Sequence, residues 1–354
     1  MALTDRGMSR TGVVAALASA ALFGAGTPLA KTLLDASIDP WVLAGLLYCG
    51  SGIGLFAYRR ITRRPAVRPA AGEWGWIGAA IVSGGMVGPL LLMAGLALMP
   101  ASGASLLLNA EAVLTAVVAW VVFGEPAGRR IVTGMALIVA GAVVLSLPGA
   151  GVAPVGGGWG ALLVVGACAA WAIDNNLTRK VSLTDETWLA MMKGLVAGPV
   201  NLALGLTAGA VLPLGRGVLW ALLIGLFAYG VSLALFIVAL RELGTSRAGA
   251  YFSTAPFVGA ALALALGAAF SWQLAVAGVL MAGGVALHLT ERHTHTHTHE
   301  PLRHTHRHRH DDGHHTHEHS SPVATGTWHT HEHVHEPTTH AHAHLPDVHH
   351  RHRH

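Results

Sequence analysis

The sequence predicts an all-helical integral membrane protein: ten transmembrane helices in two inverted five-helix repeats, followed by a disordered histidine-rich tail. Three observations carry this. Apolar runs recur ten times along the first 290 residues, each close to the roughly 20 residues a helix needs to cross a hydrocarbon core of about 30 Å. The second half of that region echoes the first. All but one of the 24 histidines lie after residue 292.

The apolar runs cover residues 11–33, 40–57, 74–98, 102–123, 131–148, 158–178, 187–209, 218–240, 247–268 and 273–290. Backbone groups in lipid must find partners within their own segment, so these read as helices rather than strands. Only 10 of the 18 acidic and 16 of the 22 basic residues precede Glu291. Small residues, with Gly84-Gly85 and Gly283-Gly284 among them, suit close packing of membrane helices. Residues 11–30, with Arg6 and Arg10 before them and Ala18-Ser19-Ala20 inside, have the outline of a cleavable signal peptide. The repeat needs them as its first helix, and they are read that way.

Lys and Arg in the short connections set the orientation. With the N terminus inside, the inner connections carry Arg59, Arg60, Arg63, Arg64, Arg68, Arg129, Arg130, Arg179, Lys180, Arg241, Arg247 and Arg292; the outer ones carry only Arg216. Both ends and the whole tail are therefore expected in the cytoplasm, with the chain in the inner (plasma) membrane. The pI near 9.4 follows from these arginines and implies no nucleic-acid partner. Cys49 and Cys168 fall inside apolar runs, so no disulfide framework is implied.

The repeat aligns Leu98–Glu111 with Leu243–Pro256, pairing Ala101 with Ser246 and Asn109 with Thr254. Ala140-Gly141-Ala142-Val143 matches Ala282-Gly283-Gly284-Val285. Upstream, Gly12 matches Gly160, Phe23 matches Trp171, and Lys31 matches Arg179. The units are 11–148 and 158–290, with the tail at 291–354. Five helices is an odd number, so the second copy enters the membrane from the opposite face. Inverted repeats of this kind mark secondary transporters, whose substrate site lies near the midplane between the halves. No Gly-x-x-x-x-Gly-Lys-Ser/Thr phosphate loop is present, so a gradient rather than nucleotide hydrolysis in this chain is expected to drive transport. An enzymatic activity is not expected.

The segments Ser102-Gly103-Ala104-Ser105-Leu106-Leu107-Leu108-Asn109-Ala110-Glu111 and Phe123-Gly124-Glu125-Pro126, with Ser246-Arg247-Ala248-Gly249-Ala250 and Ala255-Pro256-Phe257 in the second half, resemble the EamA family of the drug/metabolite transporter superfamily. The resemblance spans residues 11–290 and implies ten helices, both ends inside, and export of small molecules. Two departures concern local geometry: Ala112 follows Glu111 where proline is common, and Gly267-Ala268 stands where the first repeat has Gly124-Glu125. The histidine tail is similar to that of members associated with nickel and cobalt efflux. Asp174-Asn175-Asn176-Leu177-Thr178-Arg179-Lys180-Val181-Ser182 resembles a signature of one subgroup.

An ionisable side chain inside a span costs about 2.5–3.5 kcal/mol on insertion scales, so each asks for a reason. Glu111 lies some ten residues into the fourth run, about 15 Å along it and near the midplane, with Asn109 close by. It is a candidate to bind a cation or exchange it for protons; the alternative is a carboxyl hydrogen-bonded to a neighbouring helix. Asp174, Asn175 and Asn176 offer a carboxylate and two amides, of which no more than two can face one cavity. Oxygen ligands suit Ni²⁺ and Co²⁺; the competing reading pairs Asp174 with Arg179 or Lys180. Lys31 and Lys193 sit near helix ends, where lysines ordinarily snorkel. Their competing role is to bind a substrate carboxylate, and a lysine at the site would speak against a metal. Pro28, Pro89, Pro199 and Pro256 are ordinary membrane-helix prolines by default. Trp41, Trp120, Trp171 and Trp188 read as anchors or packing.

The tail offers His293, His295, His297, His299, His304, His306, His308, His310, His314, His315, His317, His319, His329, His331, His333 and His335 as metal ligands. In His-x-His, residues i and i+2 of an extended chain share a side, and imidazole ligates Cu²⁺, Ni²⁺, Zn²⁺ and Co²⁺. Such a polar segment buries no core and is expected to be disordered. No cofactor is expected to be required. The expected partners are the bilayer, the transported ion or solute, a coupling proton and, as an option left open, a second copy of the chain. Two functions follow: export of Ni²⁺ or Co²⁺, with Zn²⁺ as a further candidate, or export of a small organic metabolite or amino acid beside a metal-binding regulatory tail.

Overall fold

The computed structural model describes residues 10–123, 128–147, 158–178, 185–213, 215–243 and 245–289, and strands at 293–298, 302–308, 329–335 and 339–344. The chain forms two units, Met1–Glu291 and Arg292–His354. Arg179, Lys180, Glu125 and Pro126 lie outside the described residues.

Among the described residues of the first unit, every regular element is a helix. Helix α1 is Arg10–Asp35 and α2 is Pro40–Ile61. Helix α3 comprises Trp74–Ala80, a π-helical stretch Ile81–Val87, and Gly88–Leu98. Helix α4 is broken into Ala101–Leu107 and Ala110–Phe123, and α5 is Arg129–Ser146. In the second half, α6 is Trp159–Thr178 and α7 is Glu186–Thr207. Helix α8 comprises Arg216–Gly225, a π-helical stretch Leu226–Val231, and Ser232–Leu243. Helix α9 is broken into Thr245–Phe252 and Ala255–Ala265, and α10 is Trp272–Leu289. Eight of these stretches are long and apolar enough to cross a membrane, and Trp272–His288 is a shorter apolar helix. The chain is a multi-pass membrane protein.

Irregularities in the helices recur at matching places in the two halves. The π stretches lie in α3 and α8, and the breaks lie in α4 and α9. At the α4 break the Asn109 side-chain amide donates to the Leu106 carbonyl three residues back (2.9 Å). At the α9 break the Thr254 hydroxyl donates to Tyr251 O in the same way (2.7 Å). Each adds a second donor to a carbonyl that also accepts the backbone N–H of the same residue, so the polar side chain at each break has a partner of its own. Pro256 then stands in the first turn of the second piece of α9, which begins at Ala255, where its missing N–H costs nothing.

Packing crosses between the halves. Helix α2 lies along α7, α5 along α10 and α4 along α9, while α1 packs on α8 and α9, and α6 packs on α3 and α4. Exchanging each helix for the one five places further on returns the same set of contacts. The closest approaches use glycine. A Cβ on Gly52 would stand 2.6 Å from Leu195 N, and one on Gly225 would stand 2.0 Å from Leu47 O. Between α1 and α8, Ser19 Oγ donates to Ser232 O (2.8 Å) and Ser232 Oγ to Ser19 O (3.0 Å). This reciprocal pair satisfies two buried hydroxyls at once.

Helix ends are capped by acids. Asp39 Oδ1 accepts from Trp41 N (2.8 Å), with Pro40 opening α2. Asp185 Oδ1 accepts from Thr187 N (2.9 Å) and Trp188 N (3.2 Å) at the start of α7. Its Oδ2 lies 2.9 Å from the guanidinium of buried Arg59 at the end of α2. Burial raises the Asp185 pKa, but bonds from Thr187 and Arg59, the Arg59 charge and the Trp188 N–H outweigh it and hold the carboxyl below its usual 3.8. A depressed carboxylate contributes stability that is full above the unfolded value and is lost as pH falls through the folded one. Asp185→Asn keeps a capping side chain, so it is expected to lower the unfolding temperature at pH 7 and to lose that deficit towards pH 3. Thermal unfolding of both proteins across pH checks this.

The second unit holds four short strands among its described residues. His293–Thr298 pairs antiparallel with Thr339–His344, and Leu302–His308 with His329–His335. The alternating pattern has the two-residue period of a strand, and its Thr and Val residues favour extended backbone. The register sets His293, His295 and His297 opposite His344, His342 and His340. It likewise sets His304, His306 and His308 opposite His333, His331 and His329. His299, His310, His314, His315, His317 and His319 lie outside the described residues.

Candidate functional site

Inside the helical unit, a cavity of about 190 Å³ opens between α1, α2, α7, α8 and α9. Aromatic rings form much of its wall. Phe23 meets Tyr229 edge-on at 5.7 Å between centroids and Phe252 at 5.2 Å; Tyr48 lies 6.1 Å from Tyr229, and Phe236 4.6 Å from Phe252. Ser51 and Ser232 add hydroxyls. Among the described residues of this wall the cation is Lys193, seven residues into α7.

Lys193 faces two ways. It lines the cavity, and its Nζ lies 2.6 Å from Asp174 Oδ1 and 2.7 Å from Oδ2 on α6. The two side chains are 17% and 8% exposed, so this is a buried ion pair and not a snorkelling lysine. Thr178 Oγ1 donates to Asp174 Oδ1 from one turn on (3.1 Å). Lys31, by contrast, keeps to the helix end, with Asp35 Oδ1 at 3.1 Å.

The π stretch of α3 explains why the acid fits. A widened turn leaves carbonyls without their usual helical donors, and side chains from three other helices supply them. Tyr48 Oη (2.9 Å) and Trp171 Nε1 (3.0 Å) both donate to Gly84 O, and Asn201 Nδ2 donates to Gly85 O (3.2 Å). Gly84 also makes room for the carboxylate: a Cβ there would stand 1.9 Å from Asp174 Oδ2. Trp171 therefore holds the site together rather than anchoring the chain at an interface.

The sequence-derived candidates divide among several places. Asn175 Nδ2 donates to Glu111 Oε1 on α4 (2.9 Å), and Thr115 Oγ1 is also within reach (3.4 Å). Asn176 is buried, donating to Ala172 O (2.8 Å) and Thr115 O (3.3 Å), while its Oδ1 finds no partner. Asn109 serves the helix break and lies 3.9 Å from Met281 Sδ. Glu111 and Asp174 thus have separate partners, and neither Asn109 nor Asn176 bonds to them. Lys193 is the residue that sequence reasoning undervalued. Its signal was a lone lysine in an apolar run, obscured by its nearness to a helix end.

The helical unit offers little to a metal ion. Among the described residues no group of three or more His, Cys, Asp and Glu side chains could hold one. Cys49 and Cys168 are free thiols, and His288 Nε2 lies 3.1 Å from Ile131 O.

Comparison with known proteins agrees with this architecture. The chain is 29% identical over 295 residues to an uncharacterized transporter of Methanothermobacter thermautotrophicus, covering 77% of this chain and 84% of that protein. It is 30% identical over 293 residues to an uncharacterized protein of Pseudomonas aeruginosa, covering 80% and 96%. One solved crystal structure superposes with a TM-score of 0.58 at 20% identity, over 78% of this chain and 95% of that one, a likeness of fold. The model of the EamA-like transporter family matches residues 10–147 and 158–290. The bundle, its paired irregularities and these matches together establish that the chain belongs to the EamA-like transporter family of the drug/metabolite transporter superfamily.

Proposed function

We propose that the chain is a secondary carrier of ten membrane crossings, both ends cytoplasmic, that moves a small organic anion with an apolar or aromatic body across the inner (plasma) membrane. One observation carries this reading: the Lys193 ammonium stands in the wall of an aromatic cavity. Aromatic rings take up an apolar body, and a buried cation binds a carboxylate or similar group strongly because little water competes there. A protonated lysine offers a metal ion no lone pair, which favours an organic solute over Ni²⁺ or Co²⁺. Export is the direction the family resemblance implies.

The test uses purified full-length chain. A ligand that binds only the folded state raises the unfolding temperature, by about 2.7 kcal/mol of stability at a hundredfold excess over Kd. Phenylpyruvate is expected to raise it and Lys193→Gln to remove the effect. Stabilisation by Ni²⁺ alone in a chain ending at residue 290 would overturn the assignment.

Metal export remains a second reading, favoured by the tail. Its strand register sets histidine opposite histidine at six positions. In the organic-anion reading the tail instead binds metal as a regulator. Removing residues 291–354 is expected to abolish retention on immobilised Ni²⁺ while leaving anion counterflow intact. Loss of cellular nickel tolerance conferred by the full chain, with no change in anion transport, would favour the metal reading.

A further inference from the structure

Lys193 joins two differently furnished sides of the bundle, and among the described residues it is the charged group that lines the cavity. On one side lies the aromatic cavity between α1, α2, α7, α8 and α9. On the other, between α3, α4 and α6, polar groups fill the related space: Asp174, Thr178, the Gly84 carbonyl with its Tyr48 and Trp171 donors, and the Glu111–Asn175 pair. Asp174 is not part of the cavity wall, so solute and Asp174 reach the same ammonium from different sides.

Resting on the organic-anion reading, we propose that Lys193 is held in turn by Asp174 and by the solute's anionic group, and that Asp174 takes up a proton when it gives up the lysine. Charge balance at the pair requires this. In the empty carrier the ammonium and the carboxylate cancel. When a solute anion claims Lys193, the Asp174 carboxylate is left buried beside one hydroxyl, and an uncompensated buried charge is expensive. A proton from water at the open face adds to a carboxylate oxygen of Asp174; the ammonium keeps its own protons and pairs with the solute. Empty and loaded carrier then have the same charge at this site. The solute and its proton are bound together, so the chain is an anion–proton symporter and each monoanion crosses electroneutrally. The summed solute and proton gradients set direction: acid outside drives entry, and export requires the solute to be accumulated inside.

Other titratable groups face this region: Lys193 itself on α7, Glu111 on α4 through Asn175, Tyr48 on α2 through Gly84, and Tyr229 on α8 beside Tyr48. Only Asp174 loses a partner when the solute binds, so Glu111→Gln serves as the control and should keep proton movement.

The experiment reconstitutes the full chain in liposomes holding a pH-sensitive dye, with labelled phenylpyruvate outside. Internal acidification should keep step with anion entry at one proton per anion, and a valinomycin-set potential should not change the rate. In Asp174→Asn the neutral amide imitates the protonated acid of the loaded state and leaves the empty state charged. Counterflow should therefore persist and lose its pH dependence, while net entry falls by about tenfold or more. Asp174→Glu should restore coupling. Entry that follows the potential without protons, or proton exit against anion entry, overturns the proposal. So does Asp174→Asn with wild-type proton-coupled entry. If Asp174→Asn does not fold, the wild-type proton and potential measurements decide alone. Absence of phenylpyruvate counterflow in the wild type overturns the organic-anion reading and this proposal together; counterflow without protons overturns the coupling only.

Discussion

Lys193→Met is expected to abolish transport and to destabilise the helical unit by about 3–5 kcal/mol, the usual cost of removing one partner of a buried ion pair. Methionine fills much of the same space, so the loss reports charge rather than volume. Asp174 would be left with Thr178 alone, 8% exposed, next to the rigid backbone of Gly84. The double variant Lys193→Met, Asp174→Asn makes the argument specific. Replacing both charges removes the uncompensated group, so most of the lost stability should return while transport stays absent. A double-mutant cycle in unfolding temperature, with counterflow measured on the same four proteins, separates the two roles. If the double variant is no more stable than Lys193→Met, the pair does not hold the bundle as described.

The second large effect lies at the seam between α2 and α8. Gly225→Leu is expected to prevent these helices from closing, because even the first atom of a side chain would stand 2.0 Å from Leu47 O. A backbone carbonyl cannot turn aside, so both helices must separate. Overpacking in a close-packed interior costs typically 1–3 kcal/mol and sometimes more, and the gap would also open the cavity beside Tyr229. Gly50→Leu should behave alike, its Cβ falling 2.2 Å from Leu222 O. Gly78→Ala, with nothing within 4 Å of its Cβ, is the neutral control. The yield of monodisperse protein, with its unfolding temperature, measures the difference; a Gly225→Leu protein as stable as Gly78→Ala would contradict the packing described.

Most helices were legible in the sequence because hydropathy reports directly on what faces lipid. The apolar run 40–57 becomes Pro40–Ile61, and 187–209 becomes Glu186–Thr207. Irregularities inside helices were not legible. The breaks at 108–109 and 253–254 fall at positions the repeat had already aligned, Asn109 with Thr254, yet Pro256 marks only the second of them. The π stretches have no composition of their own; they become visible when Tyr48, Trp171 and Asn201 are seen donating to Gly84 and Gly85. Glu111 and Asp174 stood out because acids in apolar runs are rare. Their partners did not, because Asp174 and Lys193 are 19 residues apart on different helices, and no periodicity brings them together. The tail's strands match the two-residue alternation of its histidines.

The packing across the halves also bears on how the protein is made. Within the first five helices the mutual contacts are sparse beside those they share with the last five. A nascent first half therefore has no finished structure to adopt as it leaves the ribosome. Its glycine-lined faces on α2 wait against lipid until α7 and α8 arrive, and assembly comes late and nearly all at once. A chain cut in the 148–158 connection should then yield two fragments that are unstable apart and functional when produced together.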